Sequence, residues 1–305
     1  MMDYTKYVGY MNGEWMPSSE LKVDVRDRGF RVGDTVFDVS RTFNGTTFKL
    51  KEHVERLYRS LKYVRIDAGM SVDDMVELTE EAVRRNLHML DVAGDFEVWQ
   101  MVTRGFNKPA KQGPPTVIIE ICPNPWDWAT RFYQTGAPAV ITKTRSYSSE
   151  ALDPKIKHHS RMNFNLAEVE AADMDPDAWP IMTDAQGNLT EGVGNNVFIV
   201  TNGVVKTPGD SSILQGVSRA TVIDFARQLG MEVSEEALQP YDLYTADEAF
   251  FCSTPFCVVP VVNVDKREIG DGKPGPVSQQ ILAAWSEKVG LDIVDQAERF
   301  LPLMD

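Results

Sequence analysis

Short blocks of apolar and polar residues alternate along this chain, and glycine-containing turns separate several of the blocks. Asn12-Gly13, Asn44-Gly45 and Asn202-Gly203 each lie between alternating apolar segments. Because Asn-Gly favours the type I′ turn, each pair predicts an antiparallel hairpin. Residues 185–188, which contain Gly187, predict a fourth reversal.

Other segments follow the helical period of about 3.6 residues. One apolar stripe within residues 50–66 recurs at spacings of four and three, through Leu50, Val54, Leu57, Leu61 and Val64. Such a stripe is typical of a helix with one buried face. Further helices are predicted at residues 72–90, 161–172, 218–229 and 276–289. Ser218 is the expected cap of the helix at 218–229.

Apolar runs typical of strands occupy residues 98–102, 116–121, 139–144, 197–200 and 249–252. Mixed hairpins and helices predict an α/β (α+β) fold with largely antiparallel or mixed sheets, and not a doubly wound Rossmann layout. Prolines and glycines interrupt the pattern within residues 123–138. We therefore predict an N-terminal α/β domain at 1–124, a linker at 125–137 and a C-terminal domain at 138–305.

Composition limits the possible partners. The chain has 305 residues, enough for two domains, with 43% hydrophobic and 25% charged residues. Its formal net charge of −14 repels phosphodiester backbones and anionic lipids, so neither nucleic acid nor membrane is an expected partner. The three cysteines form no C-x-x-C motif, and no apolar run approaches ~18 residues. We expect a cytoplasmic protein without a signal peptide.

Three elements suggest chemistry when they are taken together. Lys157 follows Asp153-Pro154, Glu191 lies beside two glycines, and residues 216–218 open a predicted helix. A pyridoxal-phosphate enzyme needs a lysine for the Schiff base, a carboxylate for the pyridine nitrogen and an anion site for the phosphate. Taken singly, the three are more commonly a solvated lysine, a turn glutamate and an ordinary capped helix.

Arg56 flanks the apolar stripe of the 50–66 helix, so its side chain is expected to point inward and clamp a phosphate. The alternative is a rim arginine whose stem packs on the surface. The adjacent His158 and His159 diverge, which is poor metal geometry, and no metal is predicted. With four histidines and no G-x-S-x-G motif, serine-hydrolase chemistry has little support.

These residues together resemble the fold-type-IV, or class IV, pyridoxal-phosphate-dependent aminotransferases. That family includes branched-chain aminotransferases, D-amino-acid aminotransferases, (R)-selective amine transaminases and aminodeoxychorismate lyase. The resemblance covers nearly the whole chain, and the stretch Leu-Thr-Glu-Gly-Val-Gly-Asn-Asn-Val-Phe at 189–198 is its most specific part. The other matching segments are residues 27–39, 52–57, 153–157, 214–219 and 246–254.

The resemblance implies a two-domain fold-type-IV architecture with pyridoxal 5′-phosphate between the domains, so that residues 138–305 form the cofactor-binding domain. Lys157 would be the catalytic residue and Glu191 would pair with the pyridine nitrogen. Leu214 would pack on the cofactor ring. The phosphate would be bound by Arg56, Val217, Ser218 and Thr254. A homodimer is also implied.

Within the family, Val39, Asp153-Pro154 and Pro125-Trp126 are more similar to the (R)-amine transaminases. The Arg-x-His pair that D-amino-acid aminotransferases usually carry is missing after the Thr-Arg-Gly at 103–105. Branched-chain enzymes usually carry Phe-Glu-Gly where this chain has Phe-Asp-Val at 37–39, and a tyrosine where Met162 stands. The expected reaction moves an amino group from an (R)-primary amine or a D-amino acid to a 2-oxo acid such as pyruvate. The substrate-pocket candidates are Phe37, Val39, Arg41, Trp126 and Pro255.

Several alternatives stay open at this point. Arg41 either binds a substrate carboxylate or stabilises the sheet. The chain could instead be a branched-chain L-amino-acid aminotransferase, or catalyse β-elimination as aminodeoxychorismate lyase does. A non-catalytic protein that binds vitamin B6, or a purely structural one, is the third possibility.

Overall fold

The computed structural model describes residues 4–303 except residues 107, 110 and 112. The chain divides into two compact units. The first contains Met1–Trp126, Ile156–Ser160 and Glu298–Asp305, and the second contains Asp127–Lys155 and Arg161–Ala297. The sequence predicts that the chain leaves the first domain once, at the 125–137 linker, and that all later residues form the second domain. In the structure, Ile156–Ser160 and Glu298–Asp305 group with the first unit.

The first unit is built on a six-stranded, fully antiparallel sheet. Its strands are β1 (Val8–Met11), β2 (Glu14–Pro17), β3 (Thr35–Phe43), β4 (Thr46–Thr47), β5 (Phe96–Thr103) and β6 (Thr116–Pro123). The strand order is β2-β1-β6-β5-β3-β4. The helices are α1 (Arg28–Val32), α2 (Leu50–Val64), α3 (Val72–Asn86) and α4 (Leu90–Ala93).

The predicted hairpins and helices of this unit are confirmed, with shorter helices. The β1–β2 and β3–β4 turns place Asn12 and Asn44 at positive φ, as a type I′ turn requires. Helix α2 ends at Val64 because Arg65 adopts a left-handed conformation with φ 57°. Helix α3 begins with a capping box between Ser71 and Asp74 and ends at Asn86, before a 3₁₀ turn at Leu87–Met89.

The second unit is built on a mixed eight-stranded sheet. Its strands are β7 (Ala137–Ile141), β8 (Trp179–Ile181), β9 (Asn196–Thr201), β10 (Val204–Pro208), β11 (Glu232–Glu236), β12 (Glu248–Ser253), β13 (Cys257–Val264) and β14 (Arg267–Glu268). The strand order is β11-β10-β9-β12-β13-β7-β8, and β14 pairs with β13. The β10–β11, β13–β7 and β7–β8 pairs are parallel and the others are antiparallel.

The remaining helices are α5 (Trp126–Ala129), α6 (Phe132–Thr135), α7 (Met162–Met174), α8 (Val217–Gln228), α9 (Pro240–Tyr244), α10 (Pro276–Val289) and α11 (Ile293–Phe300). Helix α10 has the predicted bounds, because Pro276 suits its first turn and Gly290 ends it in a left-handed conformation. The predicted cap of α8 is wrong. Gly216 is the N-cap, Ser218 lies inside the helix, and no side-chain cap bond forms there.

The predicted α/β architecture with antiparallel and mixed sheets is confirmed. Two short helices, α5 and α6, occupy the proline- and glycine-containing region in which the sequence predicts a linker. Among the described residues, no helix is long and apolar enough to cross a membrane. No group of three or more potential metal ligands occurs within the part of the chain that the structure describes.

Asp27 links three parts of the first unit. Its side chain is 1% exposed and accepts hydrogen bonds from the Gly29 N–H at 2.6 Å, Thr103 Oγ1 at 2.9 Å and Thr116 Oγ1 at 2.7 Å. It therefore caps α1 and joins the ends of β5 and β6. A buried carboxylate with three donors is costly to remove, because each donor is then left without an acceptor.

We expect Asp27→Ala to lower the free energy of unfolding by about 3 kcal/mol or more, since it leaves two buried hydroxyl donors and one partly buried N–H unsatisfied. Asp74→Ala removes an exposed helix cap and should cost only about 1 kcal/mol. Urea unfolding of both variants measures the difference. Equal losses would show that the Asp27 bonds do not stabilise this unit beyond an ordinary cap.

Candidate active site

The backbone around Lys157 lies along β3 of the first unit. The Phe37 N–H donates to the Lys157 carbonyl at 3.0 Å, and the His159 N–H donates to the Thr35 carbonyl at 3.1 Å. The Lys157 N–H donates to Ser60 Oγ on α2 at 3.2 Å. Because the backbone is held on both sides of Lys157, the sheet sets the direction of the lysine side chain.

The amine of Lys157 lies over an aromatic wall. Its Nζ is 4.6 Å from the centroid of the Phe37 ring, and that ring stacks on Trp99 of β5 with 5.4 Å between centroids. An aromatic neighbour reduces the hydration of the amine, as nucleophilic lysines require. Lys155 differs, because its Nζ forms an ion pair with Asp153 at 3.2 Å. The structure thus favours Lys157 over Lys155 as the reactive amine.

A buried polar cluster connects β3 to α2. Arg56 donates through Nε and Nη2 to the two oxygens of Asp38, at 2.8 Å each. His53 Nδ1 lies 2.7 Å from Asp38 Oδ1. Burial alone would raise the pKa of Asp38, but Arg56 and His53 overcome this effect and hold the pKa well below its usual range. Asp38 is therefore an ion-pair partner that keeps Arg56 in place.

Burial lowers the pKa of His53, despite the neighbouring carboxylate of Asp38. The ring is therefore neutral at neutral pH, and its Nδ1–H donates to the ionised Asp38. Arg56 is buried and points inward, as predicted, so the rim interpretation of this arginine is wrong. Its role at a phosphate stays a prediction.

Three further substrate-pocket candidates of the first unit are buried, as Phe37 is, namely Val39, Arg41 and Trp126. Arg41 is 1% exposed, and its guanidinium carbon is 4.4 Å from the Phe43 ring centroid and 5.2 Å from that of Trp126. Trp126 donates through Nε1 to the Ala93 carbonyl at 3.1 Å. These contacts favour the interpretation of Arg41 as a residue that stabilises the sheet.

Strand β5 carries two residues at this face that were not predicted from the sequence. Glu97 lies opposite Arg41 and Trp99 lies opposite Val39 in the β3–β5 register. Trp99 Nε1 donates to Glu97 Oε2 at 2.9 Å. Burial raises the pKa of Glu97 to about 7, although the Trp99 bond and the positive charges of Arg41 and Lys157 act against it. In the sequence, the charged Glu97 within a mainly apolar run is the feature that could have indicated a functional role.

In the second unit, Glu191 is held next to the segment that precedes α8. Its Oε2 accepts from the Leu214 N–H at 3.1 Å and from Asn196 Nδ2 at 3.2 Å. Asn196 Nδ2 also donates to the Leu214 carbonyl at 3.2 Å. A Cβ atom at Gly216 would collide with Asn196 Oδ1. The fold thus brings together the carboxylate and the Leu214–Gly216 segment that the sequence proposes as one site.

A half-buried cation lies within electrostatic range of Glu191. Arg161 precedes α7, and its guanidinium carbon is 4.0 Å from the Phe164 ring centroid. Burial lowers the pKa of Arg161, while the negative charge of Glu191 and then Tyr147 act to raise it. Since arginine stays protonated in proteins, a positive charge faces the carboxylate. This role for Arg161 was not predicted from the sequence.

The N-terminus of α8 fits an anion. Val217 and Ser218 form its first turn and are largely buried, and the cap Gly216 makes no side-chain cap bond. The first N–H groups of such a helix and its positive dipole end favour a phosphate. Thr254 and Pro255 lie in the turn between β12 and β13. Pro255 has no backbone N–H, so this turn offers one donor fewer.

A cavity of about 330 Å³ opens in the second unit beside the loop that follows Glu191. Its lining combines aromatic rings with a few polar groups, and includes Trp128, Glu168, Trp179, Gly194, Asn195 and Ser253. A cavity of this size accommodates a small organic group.

Comparison with known proteins agrees with these features. The family model "Amino-transferase class IV" matches residues 35–264, which is more than half of the chain. The chain therefore belongs to the class IV aminotransferases, and it has their fold-type-IV architecture.

A Methanocaldococcus jannaschii protein, provisionally named a branched-chain-amino-acid aminotransferase, is 34% identical over 94% of this chain and 99% of its own length. The D-alanine aminotransferase of Bacillus licheniformis is 30% identical over 91% of this chain and 95% of its own length. Among solved structures, a T.th. branched-chain amino acid aminotransferase with pyridoxamine 5′-phosphate superposes with a TM-score of 0.86. It is 28% identical, and the match covers 93% of this chain and 94% of that one.

Class IV aminotransferases are enzymes that use pyridoxal 5′-phosphate, and the residues present fit this cofactor. The first unit supplies an amine over an aromatic ring and a buried arginine, which are Lys157 and Arg56. The second unit supplies the buried carboxylate of Glu191 and the α8 N-terminus without a side-chain cap. The aldehyde, the pyridine nitrogen and the phosphate of the cofactor therefore each have a chemically suitable partner in this chain.

We expect Lys157→Ala to lower turnover by at least about 100-fold, because the variant lacks the amine that is predicted to move the proton. Lys155→Ala is the matched control and should keep near-normal turnover, since this amine pairs with Asp153. Borohydride reduction of the wild-type holoenzyme should leave the cofactor's mass on the peptide that contains Lys157. Recovery of the mass on another lysine would contradict the assignment.

Proposed function

We propose that this enzyme transfers the amino group of an (R)-primary amine or a D-amino acid to a 2-oxo acid such as pyruvate. The observation that supports this choice is the environment of the Lys157 amine. The arginine on that face of the first sheet, Arg41, is buried between aromatic rings, and Glu97 lies opposite it. A substrate with a carboxylate on this side would meet a negative charge and no exposed guanidinium, so the carboxylate of a D-amino acid or of pyruvate would have to lie on the other side of the reacting carbon.

Two further features support the proposal. Because Pro255 has no backbone N–H, a substrate carboxylate at the turn after β12 would accept one hydrogen bond fewer. Val39 and the Asp153-Pro154 pair before the lysine are similar to those of the (R)-amine transaminases.

Each residue then has a defined task. Lys157 Nζ would hold the cofactor and would move the proton of the substrate carbon. Glu191 keeps the pyridine nitrogen protonated. Arg161 places a positive charge within electrostatic range of the Glu191 carboxylate. Arg56, Val217, Ser218 and Thr254 bind the phosphate, while Leu214 packs on the ring. The cofactor supplies the electron sink that lets the substrate carbon lose its proton.

A branched-chain L-amino-acid aminotransferase is the second candidate, because several relatives carry that name. The M. jannaschii protein and the solved structure with pyridoxamine 5′-phosphate are examples. Aminodeoxychorismate-lyase-type β-elimination is a third possibility for the same site. It differs in releasing pyruvate from a single substrate without any amino acceptor.

A donor panel separates these candidates. With pyruvate as acceptor, we expect (R)-1-phenylethylamine to react at least about 100-fold faster than the (S)-enantiomer, because Lys157 would reach the substrate carbon from one side and misplaced reacting atoms cost about this factor. D-Alanine should also react. Preferred use of L-leucine with 2-oxoglutarate would favour the branched-chain candidate, and pyruvate release without an acceptor would favour elimination.

We also propose a cytoplasmic homodimer. Apolar side chains at Val25, Phe30 and Val32 are exposed on the segment that leads into and forms α1, and Phe106 is exposed in the same unit. A contiguous patch of exposed apolar groups marks an interaction surface, and three of these residues lie within eight positions of the sequence. The three cysteines form no disulfide in the structure, which suits a reducing compartment.

Phe30→Asp should convert the dimer to a monomer, because it places a charge on the proposed interface. Light scattering after size exclusion should then give a mass near 34.2 kDa instead of twice that value. Tyr241→Asp is the matched control, since Phe30 and Tyr241 are both 71% exposed. A wild-type monomer, or equal effects of the two changes, would contradict the proposed interface.

A further inference from the structure

Glu97 lies on the face of the first sheet that carries Phe37. In the β3–β5 register, Arg41 lies opposite Glu97 and Val39 lies opposite Trp99. Because side chains two residues apart along a strand point to one face, these five residues share that face. Glu97 is 6% exposed, so water hydrates its side chain much less than that of a surface glutamate.

A continuous set of contacts connects Glu97 to the reactive amine. Lys157 Nζ is 4.6 Å from the Phe37 ring centroid. The Phe37 ring stacks on Trp99 at 5.4 Å, and Trp99 Nε1 donates to Glu97 Oε2 at 2.9 Å. The Phe37 and Trp99 rings therefore lie between the amine and the carboxylate in this set of contacts.

The charge of Glu97 depends on its neighbours on three elements. Burial raises its pKa to about 7, and Glu120 of β6 adds to this effect, whereas Arg41 and Lys157 oppose it. Cys122 of β6 stays a thiol, because burial and then the carboxylates of Glu120 and Glu97 raise its pKa. Glu97 thus becomes an anion as the pH rises through about 7.

The Glu97 carboxylate keeps capacity for a further donor. An ionised carboxylate can accept about four hydrogen bonds, and the structure gives it the Trp99 N–H. The guanidinium of Arg41, on the opposite strand, lies against the rings of Phe43 and Trp126. A carboxylate beside aromatic rings is the arrangement that attracts organic cations.

We propose that Glu97 is a specificity-determining residue that binds a cationic group at the far end of the amine donor and rejects an anionic group there. This inference rests on the proposed function, since the donor must first react at Lys157. It names the donor class as primary amines whose substituent ends in an ammonium group. Trp99 acts as the positioning residue, because its N–H fixes the carboxylate.

Three donors of nearly equal length test the proposal, since their far ends carry a positive charge, no charge and a negative charge. Putrescine ends in an ammonium group, pentylamine in a methyl group and δ-aminovalerate in a carboxylate. Each is assayed with wild type, Glu97→Gln and the control Glu120→Gln, which removes a carboxylate from the same face on β6. Glu97→Gln keeps the size of the side chain and its acceptor for Trp99.

The expected wild-type order of kcat/KM is putrescine, then pentylamine, then δ-aminovalerate. Glu97→Gln should raise the KM for putrescine about tenfold or more, with little change in kcat, because a charge-assisted hydrogen bond is lost. Pentylamine should change less than about twofold. Glu120→Gln should keep the wild-type order. In wild type, the preference for putrescine should fall as the pH drops below about 7.

Calorimetry gives a second readout that does not depend on turnover. Enzyme loaded with pyridoxamine 5′-phosphate cannot condense with amines, so titration with putrescine and pentylamine measures non-covalent binding. Wild type should bind putrescine more tightly, and Glu97→Gln should bind both alike. If Glu97→Gln fails to fold, Glu97→Asp serves instead, and it should retain part of the preference because it keeps the charge.

Equal losses for all three donors in Glu97→Gln would overturn the proposal and make Glu97 a structural partner of Arg41. Wild-type preference for δ-aminovalerate would overturn it as well. Failure of the proposed function is recognised separately, because then no amine is deaminated by wild-type holoenzyme with pyruvate. The calorimetric comparison still decides the role of Glu97 in that case.

Discussion

The backbone pairing of the lysine segment with β3 is the interaction on which the candidate site depends. The hydrogen bond from the Phe37 N–H to the Lys157 carbonyl fixes the amine over the Phe37 ring without help from the lysine side chain itself. A reactive lysine has a long, flexible stem, so its precision must come from its backbone and from the surface on which it lies. Here the sheet provides both.

Strand β3 meets two chemical demands because its side chains alternate. Phe37 faces the lysine amine, and the next residue, Asp38, faces α2, where it holds Arg56 through two hydrogen bonds. One strand thus positions the amine on one side and the buried arginine on the other. The second unit uses a different device for Glu191, in which the close approach of Gly216 to Asn196 holds the carboxylate against the Leu214 N–H.

Much of the fold could be predicted because its signals are local. The Asn-Gly hairpins and the bounds of α10 follow from turn and cap chemistry within a few residues. The end of strand β3 was predicted through its hairpin at Asn44-Gly45. The rest of the strand was not, because it is buried on both faces and its polar residues bind partners distant in sequence.

The residues of the candidate site likewise fall into those that could be predicted from the sequence and those that could not. Lys157, Glu191 and the α8 N-terminus could be proposed because each has a recognisable residue type in a recognisable context. Asp38, Arg161 and Glu97 could not, since their roles come from tertiary neighbours such as Arg56, Glu191 and Trp99. The cap of α8 was assigned wrongly because a serine near a helix start is usually a cap, whereas here a glycine lies closely packed before it.

The alternation along β3 limits how this site can change over time. An insertion or deletion of one residue within Thr35–Phe43 would exchange the two faces of the strand and would displace Phe37 and Asp38 together. Single replacements at Val39 or Arg41 leave the register intact and alter one face alone. New substrate preferences should therefore arise in this enzyme by substitution within a strand of constant length, while length variation is confined to the loops.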